Sequence, residues 1–242
     1  MQMKRLPEID FARGMAVIFM VLFNWSFTLS FLNVYTLPGG FFYWWLFPRI
    51  IGGTFIFLAG LSLILSYNRV KTLEKRKIWA KLISRGFKIC LIAIGITAAT
   101  IISYPQYTIY FGILHLIGLS IVLSVIFLKF NLNKLFLGVP IFISGFFLQS
   151  LTFDTPFFLL FGLAPHNFQT FDYWPLFPWF GLFLMGMCTG DFYSKKKSLD
   201  KKRILNFPLL KQICFLGKKS LVIYLVHQPV LLALLYIFGF RI

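Results

Sequence analysis

Few polar groups interrupt this chain, and those that do are of the kinds that move protons, grip phosphate or polarise a carbonyl. Asp10 and Arg13 stand three residues apart at the mouth of the first apolar stretch, and Asn24 lies deep inside it. Arg49, His115 and His227 fall within apolar runs, Arg85 and Asp191 stand near the ends of others, and His166 and Asp172 lie in the long segment before the sixth run. Such groups are costly in hydrocarbon, and where they occur they point to a path or a site. An imidazole, with a reference pKa of about 6.5, can accept a proton at neutral pH. A guanidinium can hold phosphate through two parallel hydrogen bonds. An amide can orient or polarise but cannot act as a base.

Each group also has a structural reading. Asp10 and Arg13 are spaced to pair on one helix face, Arg49 can snorkel to a membrane surface, and a lone histidine in an apolar helix can be a hydrogen-bonded packing residue. The chain has no nucleophile elbow, HExxH, P-loop or Rossmann glycine pattern. Cys90, Cys188 and Cys214 lack metal-ligand or redox spacing and read as packing residues. Ser220, beside Lys218 and Lys219, reads as a helix start.

The elements that must carry these residues are helices in a membrane. Hydrophobic residues make up 59% of 242 and charged residues 13%, more apolar than a water-soluble globule requires. Seven windows approach the roughly 20 apolar residues that a bilayer core needs: 12–32, 44–67, 82–102, 109–128, 135–151, 176–193 and 219–238. Backbone satisfaction in lipid makes them helices. The formal charge of +17 would suggest nucleic acid in a soluble chain, but here the cations lie between apolar runs, where they set orientation and meet anionic lipid. Lys4 and Arg5, the segment from Arg69 to Lys88, Lys129 with Lys134, and the segment from Lys195 to Lys219 hold nearly all of them, whereas 33–43, 103–108 and 152–175 contain none. The expected architecture is thus an all-α bundle of about seven transmembrane helices forming one domain over 1–242, with a cytoplasmic N-terminus, an external C-terminus and a multi-pass position in the plasma membrane. The first run, longer than a signal-peptide core and without a cleavage site, is expected to stay as a helix.

Two cytoplasmic stretches, Thr72–Leu82 and Ile204–Leu216, read as amphipathic segments on the inner leaflet or as basic loops. The segment Thr152–Pro175 combines prolines with the apolar run Phe157–Leu163 and reads either as a cap over an outer cavity or as a surface staple. Depth along the helices sorts the polar groups into two levels. Asn24, Arg49 and His115 share an upper one under His166 and Asp172, while Asp10, Arg13, Arg85 and Asp191 mark the inner side, with His227 roughly 12 Å up the last helix.

Five ordered stretches carry a resemblance: RLPEIDFARGMAVIFMVLFNW, GGTFIFLAGLSLILS, YFGILHLIGLSIVLS, DYWPLFPWFGLFLMG and LGKKSLVIYLVHQPVL. Together they resemble the catalytic domain family of heparan-alpha-glucosaminide N-acetyltransferase, in its short bacterial and archaeal branch, over nearly the whole chain. The lysosomal enzyme carries further helices. The resemblance implies a transmembrane acyltransferase that takes an acetyl group from cytoplasmic acetyl-CoA and gives it to an amine or hydroxyl of a sugar or glycolipid on the far side, with membrane lipids as partners and neither metal nor nucleic acid involved. Self-association is allowed but not specified.

On that reading His115, Asn24 and Asp172 form the catalytic set. Asp10, Arg13, Arg85 and His227 serve the acetyl-CoA, and Arg49 and Trp179 meet the acceptor. Related membrane O-acyltransferases place a histidine where Asn24 stands; the heparan enzyme has an asparagine there and a histidine soon after, which this chain lacks. His115, with Asp172 as its partner, therefore becomes the expected base, and His227 the second choice or a hydrogen-bond partner of the first helix. The missing histidine also leaves a second reading, a non-catalytic carrier or lipid-handling protein on the same scaffold.

Overall fold

The computed structural model describes residues 6–35, 37–70, 74–130, 132–153, 156–195 and 207–239. Lys4, Arg5, Thr72, Leu73 and 204–206, which belong to the expected basic segments, lie outside them. Pro7 opens α1 (Pro7–Phe31) where its missing N–H costs nothing, with Glu8 and Asp10 in the first turn, where the helix dipole favours negative charge. A π-turn, Phe42–Leu46, leads directly into α2 (Phe47–Val70). There follow α3 (Lys75–Ser103), α4 (Ile113–Lys129), α5 (Lys134–Leu148), α6 (Leu176–Lys195), α7 (Pro208–Lys218) and α8 (Ser220–Ile237). Short 3-10 turns occupy Pro105–Tyr107 and Pro156–Phe161.

Every expected apolar window coincides with a helix, and Ser220 does begin one. Length separates them. Four spans, 7–31, 42–70, 75–103 and 220–237, are long and apolar enough to cross a membrane, whereas α4 and α5 are shorter apolar helices of 17 and 15 residues. Thr72–Leu82 requires a correction: from Lys75 onward it is the opening of α3, and no glycine or proline stands there to end a separate surface helix. Large apolar side chains are exposed along α3, α5 and α8, Ile102 at 82%, Phe136 at 74% and Ile237 at 74% among them, as contact with lipid requires and water would penalise.

The chain separates into two compact units, one of residues 1–55 with 197–242 and one of residues 56–196. In the first, α7 packs along the start of α1 and α8 continues beside it. Gly14 lies against the backbone of Ile213, and Gly217 against the Asp10 carbonyl and the Gly14 nitrogen, leaving no room for a Cβ at either position. From Pro208 onward the Ile204–Leu216 stretch is a helix with one side on α1, where Cys214 is buried and its thiol reaches the Pro7 carbonyl, while Leu209 and Phe215 on its other side are 65% and 57% exposed.

In the second unit, small residues again set the crossings. Gly186 and Gly190 of α6 lie on the backbone of Phe57 and Leu61 in α2, the small-xxx-small arrangement that lets membrane helices approach closely. Their cytoplasmic-side ends, on the expected topology, are tied by Asp191, which accepts from Asn68 at 3.0 Å and pairs with Lys134 at 2.9 Å, joining α2, α5 and α6.

Candidate active site

In the first unit, the polar groups of α1 and α8 meet in the middle of both helices. Gln228 Nε2 donates to Asn24 Oδ1 at 3.2 Å, Thr28 Oγ1 donates to the Asn24 carbonyl at 2.8 Å, and Gln228 Oε1 lies 3.4 Å from the same hydroxyl. Asn24 Nδ2 donates back to the Met20 carbonyl at 2.9 Å, and its other N–H is unengaged among the described residues. Gly217, at the end of α7 and just before α8, meets Asp10 and Gly14, and further along the chain Gln228 meets Asn24, so α8 runs beside α1 in the same direction.

His227 precedes Gln228 and therefore lies near the level of Asn24. The expected sorting, with His227 on an inner level and Asn24 on an upper one, is corrected by that pairing. Its Nδ1 lies 2.6 Å from the Tyr224 carbonyl. A carbonyl can only accept, so Nδ1 carries the proton and Nε2 holds the lone pair. Nε2 is buried and meets no hydrogen-bond partner among the described residues. The expected partner of the first helix on α8 is thus Gln228, one residue on.

At the start of α1, Asp10 is buried and Arg13 half-buried. The adjoining α7 adds the exposed Lys211 and Lys218. Higher in the same unit, Phe23, Tyr43, Trp44 and Phe47 form an aromatic cluster with centroids 5.1–6.2 Å apart, Tyr43 stacked on Phe47 and Trp44 edge-on to Phe23 and Tyr43. Arg49, expected to touch the acceptor, donates to the Trp45 carbonyl at 2.9 Å and stands 4.0 Å over the Trp45 ring, a cation–π pairing that accounts for its charge near a helix end.

The second unit holds His115, Asp172, Trp179 and Arg85. The Gly112 N–H donates to His115 Nδ1 at 3.2 Å, so that nitrogen is the acceptor and Nε2 carries the proton toward Thr97 Oγ1 at 3.3 Å. The Thr97 hydroxyl in turn donates to the Ile109 carbonyl at 2.6 Å. Both ring nitrogens are engaged, and the lone pair that a base would use caps the first turn of α4. Asp172 serves the same turn: one carboxylate oxygen accepts from the Ile113 N–H at 2.9 Å and the other from Trp174 Nε1.

Backbone bonds from Phe171 to Tyr107 and from Trp174 to Phe111 stitch this segment onto the 107–113 stretch. Residues 170–174 thus lie over the start of α4, and Phe157 in the 3-10 turn upstream is 86% exposed. His166 pairs with Thr152 at 3.0 Å. Trp179 is buried against Trp174, centroids 4.4 Å apart, and Arg85 is exposed on α3.

Sequence reasoning missed Gln228, Thr28 and Thr97. Gln228 carried a usable signal, an amide in the middle of an apolar run; the hydroxyls of Thr28 and Thr97 carried none, since threonine commonly bonds within its own helix.

These features define a class: a helical protein with several helices long and apolar enough to cross a membrane and with half-buried amide and imidazole groups within apolar helices. Within that class, the chain belongs to the family described as heparan-alpha-glucosaminide N-acetyltransferase, catalytic, whose profile matches residues 5–229. Neither a curated protein nor a solved structure matches the chain. Membership gives an acetyltransferase-like function in a membrane setting.

Proposed function

We propose that this protein is a plasma-membrane acyltransferase with seven crossings, its N-terminus in the cytoplasm, that passes an acetyl group from cytoplasmic acetyl-CoA to an amine or hydroxyl of an external sugar or glycolipid. The family supports the reaction class, and the alternation of basic and cation-free loops supports the orientation. The observation that carries the choice of residues is the open lone pair on the buried His227 Nε2, one residue from the Gln228 that holds Asn24.

Acetyl-CoA would supply an acetyl thioester already activated for attack. Arg13, with Lys211 and Lys218 from α7, fits its phosphates, because three cations border the start of α1 while Asp10 is turned inward and buried. From Arg13 to Asn24 is about 16 Å along α1, a reach that a pantetheine arm can cover. Asn24, fixed by Gln228 and the Met20 carbonyl, keeps one N–H to hold the thioester oxygen as charge gathers on it. His227 Nε2 takes the proton from the acceptor nitrogen or oxygen as the new C–N or C–O bond forms. It then returns that proton to the departing sulfur as the C–S bond breaks. His115 and Asp172, in this account, hold the outer cap, and His115 could act as base only by giving up the Gly112 N–H.

The test is acetyl transfer from acetyl-CoA to glucosamine in proteoliposomes. His227→Ala is expected to lower kcat by 10²-fold or more, the usual worth of a general base, with KM for acetyl-CoA nearly unchanged. His115→Ala is expected to lower the melting temperature and leave kcat of the surviving folded protein within a few fold. Unchanged kcat in His227→Ala with a large loss in His115→Ala reverses the assignment, and no turnover or acetyl-CoA binding in the wild type returns the carrier reading.

A further inference from the structure

The cations of α3 are not scattered. Lys77, Lys81, Arg85 and Lys88 follow one another at spacings of four, four and three, which places them within an arc of about 80° on the helix, and all are exposed. Beside that arc runs an apolar one, with Ile83 at 45%, Phe87 at 60%, Leu91 at 51% and Ile94 at 57% exposure. The remaining face, with Leu82, Gly86 and Ala93, is buried, and Gly86 lies against the Gly118 carbonyl of α4. The helix thus shows its surroundings a charged stripe and a greasy stripe side by side.

Depth makes the charges costly. From Ile89 to Ser103 the helix carries no charge and covers roughly 22 Å, short of the roughly 30 Å of a hydrocarbon core. Trp79, stacked on Tyr67 with centroids 5.9 Å apart, marks the interfacial level that aromatic residues favour, and Arg85 and Lys88 lie further in by roughly 9 and 13 Å. The acids that could answer them are committed elsewhere: Glu74 pairs with Lys77 and Asp191 with Lys134. Lys81, Arg85 and Lys88 meet no acid among the described residues.

We infer that this face of α3 is a binding site for an anionic diacyl phospholipid. Its phosphate and headgroup charge would be held by Arg85, Lys88 and Lys81, and one acyl chain would lie along Ile83, Phe87 and Leu91. Arg85 suits the phosphodiester, which its planar fork can take in two parallel bonds, while Lys88 and Lys81 add point charges above and below. An uncharged lipid would leave the same cations unanswered, so the site selects for negative headgroups.

Native mass spectrometry of the full chain, released from nanodiscs of mixed dioleoyl phosphatidylglycerol and dioleoyl phosphatidylcholine, tests this. Wild-type protein is expected to retain phosphatidylglycerol in excess over its share of the bilayer. Arg85→Gln with Lys88→Gln is expected to weaken that retention about twenty-fold, whereas Lys75→Gln with Arg76→Gln, outside the arc, keeps most of it. Melting temperatures in pure phosphatidylcholine nanodiscs are expected to agree among all three, which separates lost binding from lost folding. Equal retention of the two lipids, equal loss in the two double variants, or displacement of the retained lipid by millimolar coenzyme A would overturn the lipid assignment, the last by showing that the stripe takes a free diphosphate.

Discussion

Tyr173, in the segment before α6, donates to the Leu159 carbonyl at 2.7 Å, and burial holds its phenol well above the ordinary value of 10.0. In the unfolded chain the same phenol ionises near its ordinary value, while in the fold it stays neutral. The stability it contributes is therefore complete below about pH 10 and lost as pH rises further. Tyr173→Phe should be less stable by about 1 kcal/mol below pH 9, and its gap from wild type should narrow between pH 10 and 11 in thermal melts; a constant gap would refute the burial account. At this scale the sequence disclosed which residues are out of place and little about what holds them. Asn24 and His227 stand out in apolar runs, but their relation depends on the register of α1 against α8, which no spacing reveals. His115 is read as a base if α4 is taken to begin at 109; its start at Ile113 makes the imidazole a cap for Gly112 instead.

Among the elements, α7 is the one whose packing partner the sequence did not reveal. Its alternation of lysine and apolar residues is what a surface helix would show, and Leu209 and Phe215 do stay exposed, but the side with Cys214 and Gly217 is taken by the start of α1 at Gly14. Gly14→Leu should drive its side chain into the Ile213 backbone and push α7 away, at a cost of about 1–3 kcal/mol or more. Cys214 reports this directly, being 2% exposed with burial pushing its thiol up. In Cys90→Ala, Cys188→Ala protein it should resist maleimide and become reactive in Gly14→Leu; continued protection with an unchanged melting temperature would show that the glycine contact is dispensable. The joining of α3 to its basic lead could have been read from sequence, because nothing between Lys75 and Lys88 breaks a helix except Gly86, and that glycine is spent on the approach to α4.

For the molecule as a whole, the apolar windows, their helical state and the family were all legible, because lipid forces the first two and five ordered stretches carry the third. The division into two compact units was not, since it depends on which helices pack together. The proposed topology predicts that a cysteine introduced at His166 in protein otherwise free of cysteine is labelled by an impermeant maleimide in intact cells. One at Lys81 should be labelled only after permeabilisation, and labelling of both from outside would invert or discard the seven-crossing arrangement.

Because Asn24 meets Gln228 across 204 positions of chain, the first unit is assembled from segments made far apart in time. At roughly 5–20 residues per second of synthesis, the leading helix waits about 10–40 s in the bilayer before its mates leave the ribosome. During that wait its amide, its buried acid and its glycine seam have no native company. A stalled or truncated product would thus display a polar, unsatisfied first helix, a ready mark for membrane quality control, and only a finished chain hides it.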